Sequence, residues 1–302
     1  MVSRIGKASG SRAARSASSV GTLVGVLTYS MWGLFPLYWK RLSGIEAFQV
    51  LAHRIVWAAA FCILILVLTG RLGLLAELAR SRKRVLVAAL AALLVTINWG
   101  VYIWAVNAGH IIDSALGYYI NPLFSVAFGA IFLREKLDRF TIVAVSIAAA
   151  GVIAATVMMG RPPIIPLVLG SSFGLYGLVK KKAALDPVAG LAVETLVLSP
   201  FALAFLFSRH LAGMGGFGGP DGIATLMLAL AGPVTAIPLM TFAFATNRIT
   251  LQRLGFVQYI SPSLQLLLGI FLYHEALSPA LMVAFASVFV AVIIYAGTRR
   301  RS

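Results

Sequence analysis

The 302-residue chain predicts an all-α integral membrane protein with ten transmembrane helices, arranged as two inverted five-helix repeats. Three observations carry this prediction. The residues are 60% hydrophobic and 11% charged, with a mean hydropathy of +0.95, where a soluble domain is about a quarter charged. Apolar stretches of about 20 residues, the length that crosses a hydrocarbon core about 30 Å thick, recur along nearly the whole chain. The second half also rewrites the first: "YYINPLFSVAFGAIFLREKL" (118–137) and "VQYISPSLQLLLGIFLYHEAL" (257–277) align without a gap at an offset of about 140 residues.

Taken in order, the spans are 21–39, 47–69, 85–107, 111–133, 139–159, 163–180, 187–208, 223–246, 251–273 and 279–297. Runs such as "VLVAALAALLVTI" and "FTIVAVSIAAAGVIAATVMM" do not alternate as barrel strands do, so the spans are helices. Residues 1–20, rich in Ser, Arg, Ala and Gly, are expected to be a disordered basic cytoplasmic tail. No cleaved signal peptide is expected, because span one is long and runs directly into Lys40 and Arg41. Residues 298–302 make a second basic tail. Between spans two and three, "RLGLLAELARSRKR" (71–84) puts Leu72, Leu75 and Ala79 on one face; it reads either as a helix lying on the cytoplasmic surface or as a solvated loop. The single cysteine, Cys62, lies inside span two, can form neither an intrachain disulfide nor a cysteine metal cluster, and reads as packing.

The net charge of +16 is not spread as a nucleic-acid-binding surface would be. Arg4, Lys7, Arg12 and Arg15 precede span one; Arg71, Arg80, Arg82, Lys83 and Arg84 follow span two; Arg134, Lys136 and Arg139 follow span four. Lys180, Lys181 and Lys182 follow span six, Arg248 and Arg253 follow span eight, and Arg299, Arg300 and Arg301 end the chain. Every second loop is basic, and the opposite loops carry less charge, so the positive-inside rule places both termini in the cytoplasm. The expected partners are the lipid bilayer and a small molecule, not nucleic acid.

The repeat extends beyond the opening match. "SMWGLFPLYWKR" (30–41) falls on "SSFGLYGLVKKK" (171–182), and "YIWAVN" (102–107) on "FAFATN" (242–247). Residues 21–159 and 163–297 therefore form two five-helix units. Five crossings are an odd number, so the units run in opposite directions through the bilayer, the arrangement in which sites form near the midplane between halves that rock to alternate access. Duplication could instead reflect only history and helix packing, to which the small residues of "AAAGVIAA" (148–155) and "GTLVG" (21–25) are suited.

The segments "WGLFPLYWK", "HRIVW", "NWGVYIWAVN", "SALGYYINPL", "FLREKL", "YGLVKK" and "FVQYISP", in this order, resemble the RarD subfamily of EamA-type carriers in the drug/metabolite transporter superfamily, over about residues 20–298. The resemblance implies a ten-helix inverted-repeat carrier of the bacterial inner membrane and no particular substrate.

Ionisable groups inside a span are costly and mark function by default. His53 and Arg54 stand about two turns inside span two, and Glu194 occupies the position of His53 in the second repeat. Arg54 is expected to receive an anionic group of the solute while His53 or Glu194 changes protonation. The alternatives are a structural ion pair, or an Arg54 that snorkels to the outer surface.

Near mid-span stand Asn98, Trp99, Tyr118, Tyr119, Asn121, Gln258 and Tyr259, as lining or as interhelical hydrogen-bond formers. Pro122, Pro238 and Pro262 are expected to kink their helices and free carbonyls that a cavity or neighbouring side chain must satisfy. Glu135 and Glu275 form a symmetric pair after spans four and nine, as caps or latches of opposite gates.

Other classes fit less well. "GSSFG" (170–174) matches G-x-S-x-G but lies in a predicted helix, without the strand-turn-helix elbow that the motif requires. The four histidines show no metal-ligand spacing, and the glycine-rich "GMGGFGGPDG" (213–222) lacks the lysine of a P-loop, reading as a flexible outer loop. The expectation is a secondary transporter of a small organic solute, a metabolite or drug-like compound, with no cofactor and no metal, working as an exporter. A receptor, channel or scaffold is the alternative class.

Overall fold

The computed structural model describes residues 2–107, 110–160, 162–274 and 278–299, and among them every regular element is helical. The helices are α1 (Val2–Trp39), α2 (Ala47–Leu68), α3 (Leu72–Arg80), α4 (Arg82–Asn107), α5 (Ile111–Leu133) and α6 (Arg139–Met159) in the first half. The second half has α7 (Ile164–Ala183), α8 (Pro187–Leu211), α9 (Gly222–Thr246), α10 (Leu251–Gln258), α11 (Ile260–Phe271) and α12 (Pro279–Arg299). Ten segments are long and apolar enough to cross a membrane, the first being Ala17–Leu42 and the ninth, Leu251–Phe271, combining α10 and α11.

Four details depart from the sequence reading. The basic stretch before residue 17 continues α1 as helix rather than forming an irregular tail. The segment after span two is a helix, but its inward face is Leu74, Leu75 and Leu78, with Leu72 exposed; α3 leans on α8, and Arg71 pairs with Asp186 at the start of α8. Lys180 does not belong to the loop after span six, because α7 carries on to Ala183 and buries it. Of the three prolines, Pro122 and Pro238 sit in unbroken helices. Pro262 lies just past the division between α10 and α11, where its ring opposes the carbonyl of Gln258 four residues earlier.

Packing respects the repeat. Helix α2 pairs with α8, and α6 with α12; each of these joins an element to its own counterpart. The contact of α4 with α7 is mirrored by that of α9 with α1, that of α5 with α7 by that of α1 with α10 and α11, and that of α2 with α9 by that of α8 with α4. Even local strain is duplicated. Arg134 (φ 55°), the C-cap of α5, and His274 (φ 53°), three residues past the end of α11, are 140 residues apart and both adopt the left-handed region that L residues rarely enter.

The α6–α12 seam is built from small residues. Ala144, Ala148, Val152 and Ala155 face Ala280, Ala284, Val288 and Ala291, so the backbones come close without a hydrophobic driving force from water. A Cβ on Gly151 would lie 2.2 Å from the Cβ of Ser287. Cys62 is buried among apolar neighbours, as expected.

Nearly as close, and against backbone rather than side chain, is Gly232 of α9, where a Cβ would stand 2.3 Å from the backbone carbon of Trp57 in α2. No rotamer relieves such a clash, so Gly232→Ala is expected to lower unfolding stability by about 1–3 kcal/mol. Gly100→Ala, with nothing within 4 Å of the added carbon, should leave the midpoint unchanged. Thermal unfolding of the two variants in detergent checks the difference.

Candidate functional site

A small, nearly closed cavity of about 10 Å³ lies where α2, α4, α8 and α9 converge, walled by Arg54, Ile55, Ala58, Val95, Trp99, Leu191, Glu194, Thr195, Leu198, Thr235 and Leu239. Three pairs of these residues are repeat counterparts. Arg54 and Thr195 are 141 residues apart, and Val95 with Thr235 and Trp99 with Leu239 are 140 apart. The cavity is therefore walled by equivalent positions of both halves. Its chemistry is not symmetric, since one half supplies a cation and an indole where the other supplies a hydroxyl and a leucine.

Arg54 is half-buried and held from three sides. Its Nε donates to Thr235 Oγ1 at 2.9 Å. Its guanidinium carbon stands 4.6 Å from the ring centre of Trp39 and 4.3 Å from that of Trp99, where the negative faces of the rings attract it. Tyr38, Tyr102 and Tyr118 stand nearby. No described carboxylate lies within ion-pair distance. The arginine is thus turned into the protein interior and does not snorkel outward.

Glu194 is 2% exposed, and both of its oxygens are occupied. Lys180 Nζ donates to Oε1 at 2.5 Å and the Tyr176 hydroxyl to Oε2 at 3.2 Å. All three belong to the second half, so the cross-half pair with His53 does not form. His53 instead lies flat against Phe217, with ring centres 5.2 Å apart. Behind the triad, Tyr176 stacks on Phe242 at 5.6 Å, and the repeat counterparts Trp32 and Phe173 meet edge to face at 5.6 Å.

The remaining mid-span polar residues divide by role. Asn98 is an interhelical clasp: its Nδ2 donates to Leu169 O at 2.8 Å and to Ser172 Oγ at 3.1 Å, joining α4 to α7. Trp99 lines the cavity, while Tyr118 packs edge-on against Tyr102 at its margin. Tyr119, Asn121, Gln258 and Tyr259 lie outside the lining, buried around α5 and α10. Gln258 donates to Ser125 Oγ at 3.0 Å, and Tyr119 packs against Phe285 with ring centres 4.1 Å apart. Pro238 is buried in α9, where its carbonyl accepts from the Thr241 hydroxyl, which in turn accepts from Thr28 of α1.

Glu135 acts as a cap. Its Oε1 accepts from Leu251 N at 2.8 Å and its Oε2 from Gln252 N at 2.9 Å, satisfying two free N–H groups at the start of α10 from the other repeat. Its repeat counterpart Glu275 lies outside the described residues.

Sequence reasoning missed Lys180, Tyr176, Thr235, Trp39 and Phe217. The first two stand one helical turn apart, so the spacing 176–180 on the face toward Glu194 was the available signal. The glycine-rich 213–222 stretch is not a free loop: Gln49 Oε1 accepts from Gly216 N at 2.9 Å, and Phe217 sits on His53 and Trp57. The segment "GSSFG" is helical within α7, packed on Phe124 and Phe128, and forms no nucleophile elbow.

A ten-span helical protein with a cavity between its repeats belongs to the class of polytopic membrane carriers. The profile of the EamA-like transporter family matches residues 19–157. Over 279 residues the chain is 44% identical to the uncharacterized transporter YojE of Bacillus subtilis (strain 168), covering 91% of this chain and 93% of that protein. It is 41% identical over 281 residues to the protein RarD of Streptomyces exfoliatus, covering 93% and 89%. A crystal structure at 22% identity superposes with a TM-score of 0.70 over 94% of this chain and 99% of the other, a likeness of fold. The chain belongs to the EamA-like transporter family, on its RarD branch. It is a multi-pass membrane transporter of small solutes, in the bacterial inner membrane, and its relatives are named as transporters rather than as enzymes.

If Glu135 clamps α10 as its geometry requires, Glu135→Ala leaves two helix N–H groups without an acceptor. A loss of about 1–2 kcal/mol of stability is expected, with hydrogen exchange accelerating at Leu251 and Gln252 before the rest of α10. Exchange mass spectrometry on the detergent-solubilised variant measures it.

Proposed function

We propose that this protein is a secondary transporter that exports a small organic solute by alternating access, with the cavity between α2, α4, α8 and α9 as the solute site. The observation that carries the reading is the wall itself, because three pairs of repeat-equivalent positions, one from each half, line one space. Five crossings per unit turn the second repeat over relative to the first, and a site on the axis between inverted units can be approached from either face by the same rocking motion. The basic loops favour cytoplasmic termini. The lining is largely apolar, as suits a metabolite or drug-like compound, and at about 10 Å³ the cavity has to widen to admit one. Within it, Arg54 binds the solute, with Trp99 beside it, while Glu194 and Lys180 close one end.

Two measurements check this. Proteoliposomes loaded with a mixed panel of amino acids, amines, nucleosides and antibiotics should release one or a few compounds selectively. Arg54→Ala and Glu194→Gln should each reduce that release by at least tenfold while the protein stays folded. Normal release by either variant would remove that residue from the mechanism, and no selective release by the folded protein would argue against a carrier.

Orientation is read separately in a Cys62→Ala background. A membrane-impermeant maleimide should label Ser43→Cys in spheroplasts and Ser302→Cys only after lysis. The reverse pattern would turn the protein over.

A further inference from the structure

The cavity's charge can be counted, and the count selects a class of solute. One fixed positive charge faces the cavity, on Arg54, with no described carboxylate in ion-pair distance. Its only side-chain hydrogen bond uses Nε, so the two terminal nitrogens, which carry four of its five donors, are not spent on described side chains. The ring faces of Trp39 and Trp99 fix the plane of the guanidinium without neutralising it. The one carboxylate in the wall, Glu194, contributes nothing to the sum. Lys180 sits 2.5 Å from it, itself 6% exposed on its side chain, and the Tyr176 hydroxyl fills the other oxygen. Whichever of the two atoms holds the shared proton, the pair is neutral overall. The remaining lining is apolar, apart from two threonines.

We propose that this cavity, on widening from its nearly closed form of about 10 Å³, receives an organic monoanion, one compact anionic group such as a carboxylate on an apolar or aromatic body, and that Lys180 sets this preference by cancelling Glu194. This rests on the solute site proposed above. A planar guanidinium presents parallel donors that match a carboxylate bidentately, and the apolar lining accepts the body. A cation would meet Arg54 with no counter-charge. A zwitterion would satisfy Arg54 with its anionic end but find no free acceptor for its ammonium, because both Glu194 oxygens are filled. Lys180 is thus a specificity-determining residue that need not touch the solute. Its counterpart in the first repeat is Trp39, one of the two rings on Arg54, so equivalent positions govern the charge at both ends of the cavity.

The test uses four probes with one body: 3-phenylpropionate, its uncharged amide, phenylalanine as the zwitterion and 2-phenylethylamine as the cation. The same comparison is repeated with hexanoate, hexanamide, norleucine and pentylamine. Binding to the full-length protein in detergent, read by ligand-induced thermal shift, should favour each carboxylate over its partners by roughly tenfold or more. Arg54→Gln should erase that preference. Lys180→Met, which frees the Glu194 carboxylate, should move the preference toward the amino acid. Lys180→Met with Glu194→Gln should restore preference for the carboxylate. If Lys180→Met fails to fold, the double variant and Arg54→Gln decide.

The proposal is overturned if no carboxylate binds above its amide, if the wild type prefers the zwitterion or amine, or if folded Lys180→Met keeps the wild-type order. Exchange of the same probes in proteoliposomes separates the two readings. Transport of amines or amino acids but no carboxylate would keep the carrier and discard the charge assignment. Selective carboxylate binding without exchange of any solute would keep the charge assignment and discard transport through this cavity.

Discussion

A charge placed among membrane helices must be cancelled, hydrated or used, because the surroundings offer little dielectric relief. The architecture around the cavity follows from how two charged positions meet that requirement. At one, Glu194 is cancelled by Lys180 and by the Tyr176 hydroxyl, all carried on α7 and α8. At the other, Arg54 is held by ring faces and one threonine, and its charge is left over. Closing the Glu194 triad requires α7 and α8 to stay in register, which the stack of Tyr176 on Phe242 and the contact of Trp32 with Phe173 reinforce. The Arg54 environment instead draws on α1, α2, α4 and α9 together, so anything that changes its charge balance is felt by helices of both halves.

Around this polar centre the rest of the bundle is held by dispersion and close approach. The α6–α12 seam is a row of alanines with a valine on each side and a glycine facing a serine, with no charge to orient it. Contacts of that kind are stiff against separation but tolerate small sliding, whereas the hydrogen bonds of Asn98 to α7 and of Glu135 to α10 have fixed partners. In the proposed cycle the outer seam is therefore suited to remain a scaffold while discrete polar contacts nearer the centre would change partners.

The spans and the duplication were legible in the sequence because both rest on patterns longer than any single side chain: apolar length, alternating basic loops and an offset of about 140 residues. Arg54 and Glu194 were legible as costly intramembrane charges, and the structure brings both to one cavity. Partners were not legible. Lys180 opens a run of three lysines and reads as loop, yet a helix turns each residue by about 100°, and that rotation sends Lys180 inward while Lys181 reaches the last carbonyls of α9. Thr235 replaces a valine of the first repeat, a methyl exchanged for a hydroxyl that the mean hydropathy of a whole span averages away. The polar residues near Pro122 and Pro262 looked like lining because they lie mid-span, but depth in the membrane does not say which face of a helix looks inward; Tyr119, Asn121, Gln258 and Tyr259 are buried away from the cavity wall.

The two halves share their order of spans, and divergence has given them unequal chemistry: Arg54 against Thr195, Glu194 against His53, Lys180 against Trp39. In the alternating-access cycle proposed above, opening one end would part an ion pair and opening the other would part aromatic contacts. The two conformations of that proposed cycle would then differ in energy even without solute, with one of them more populated. That bias alters how long each face waits for a solute and how fast the cycle turns. It cannot by itself drive net movement, since a state preference built into the protein shifts populations and leaves the solute's free energy on the two sides unchanged. Under that proposal, direction comes from a gradient, of the solute or of an ion bound together with it. The asymmetry of the halves belongs instead to selectivity and rate.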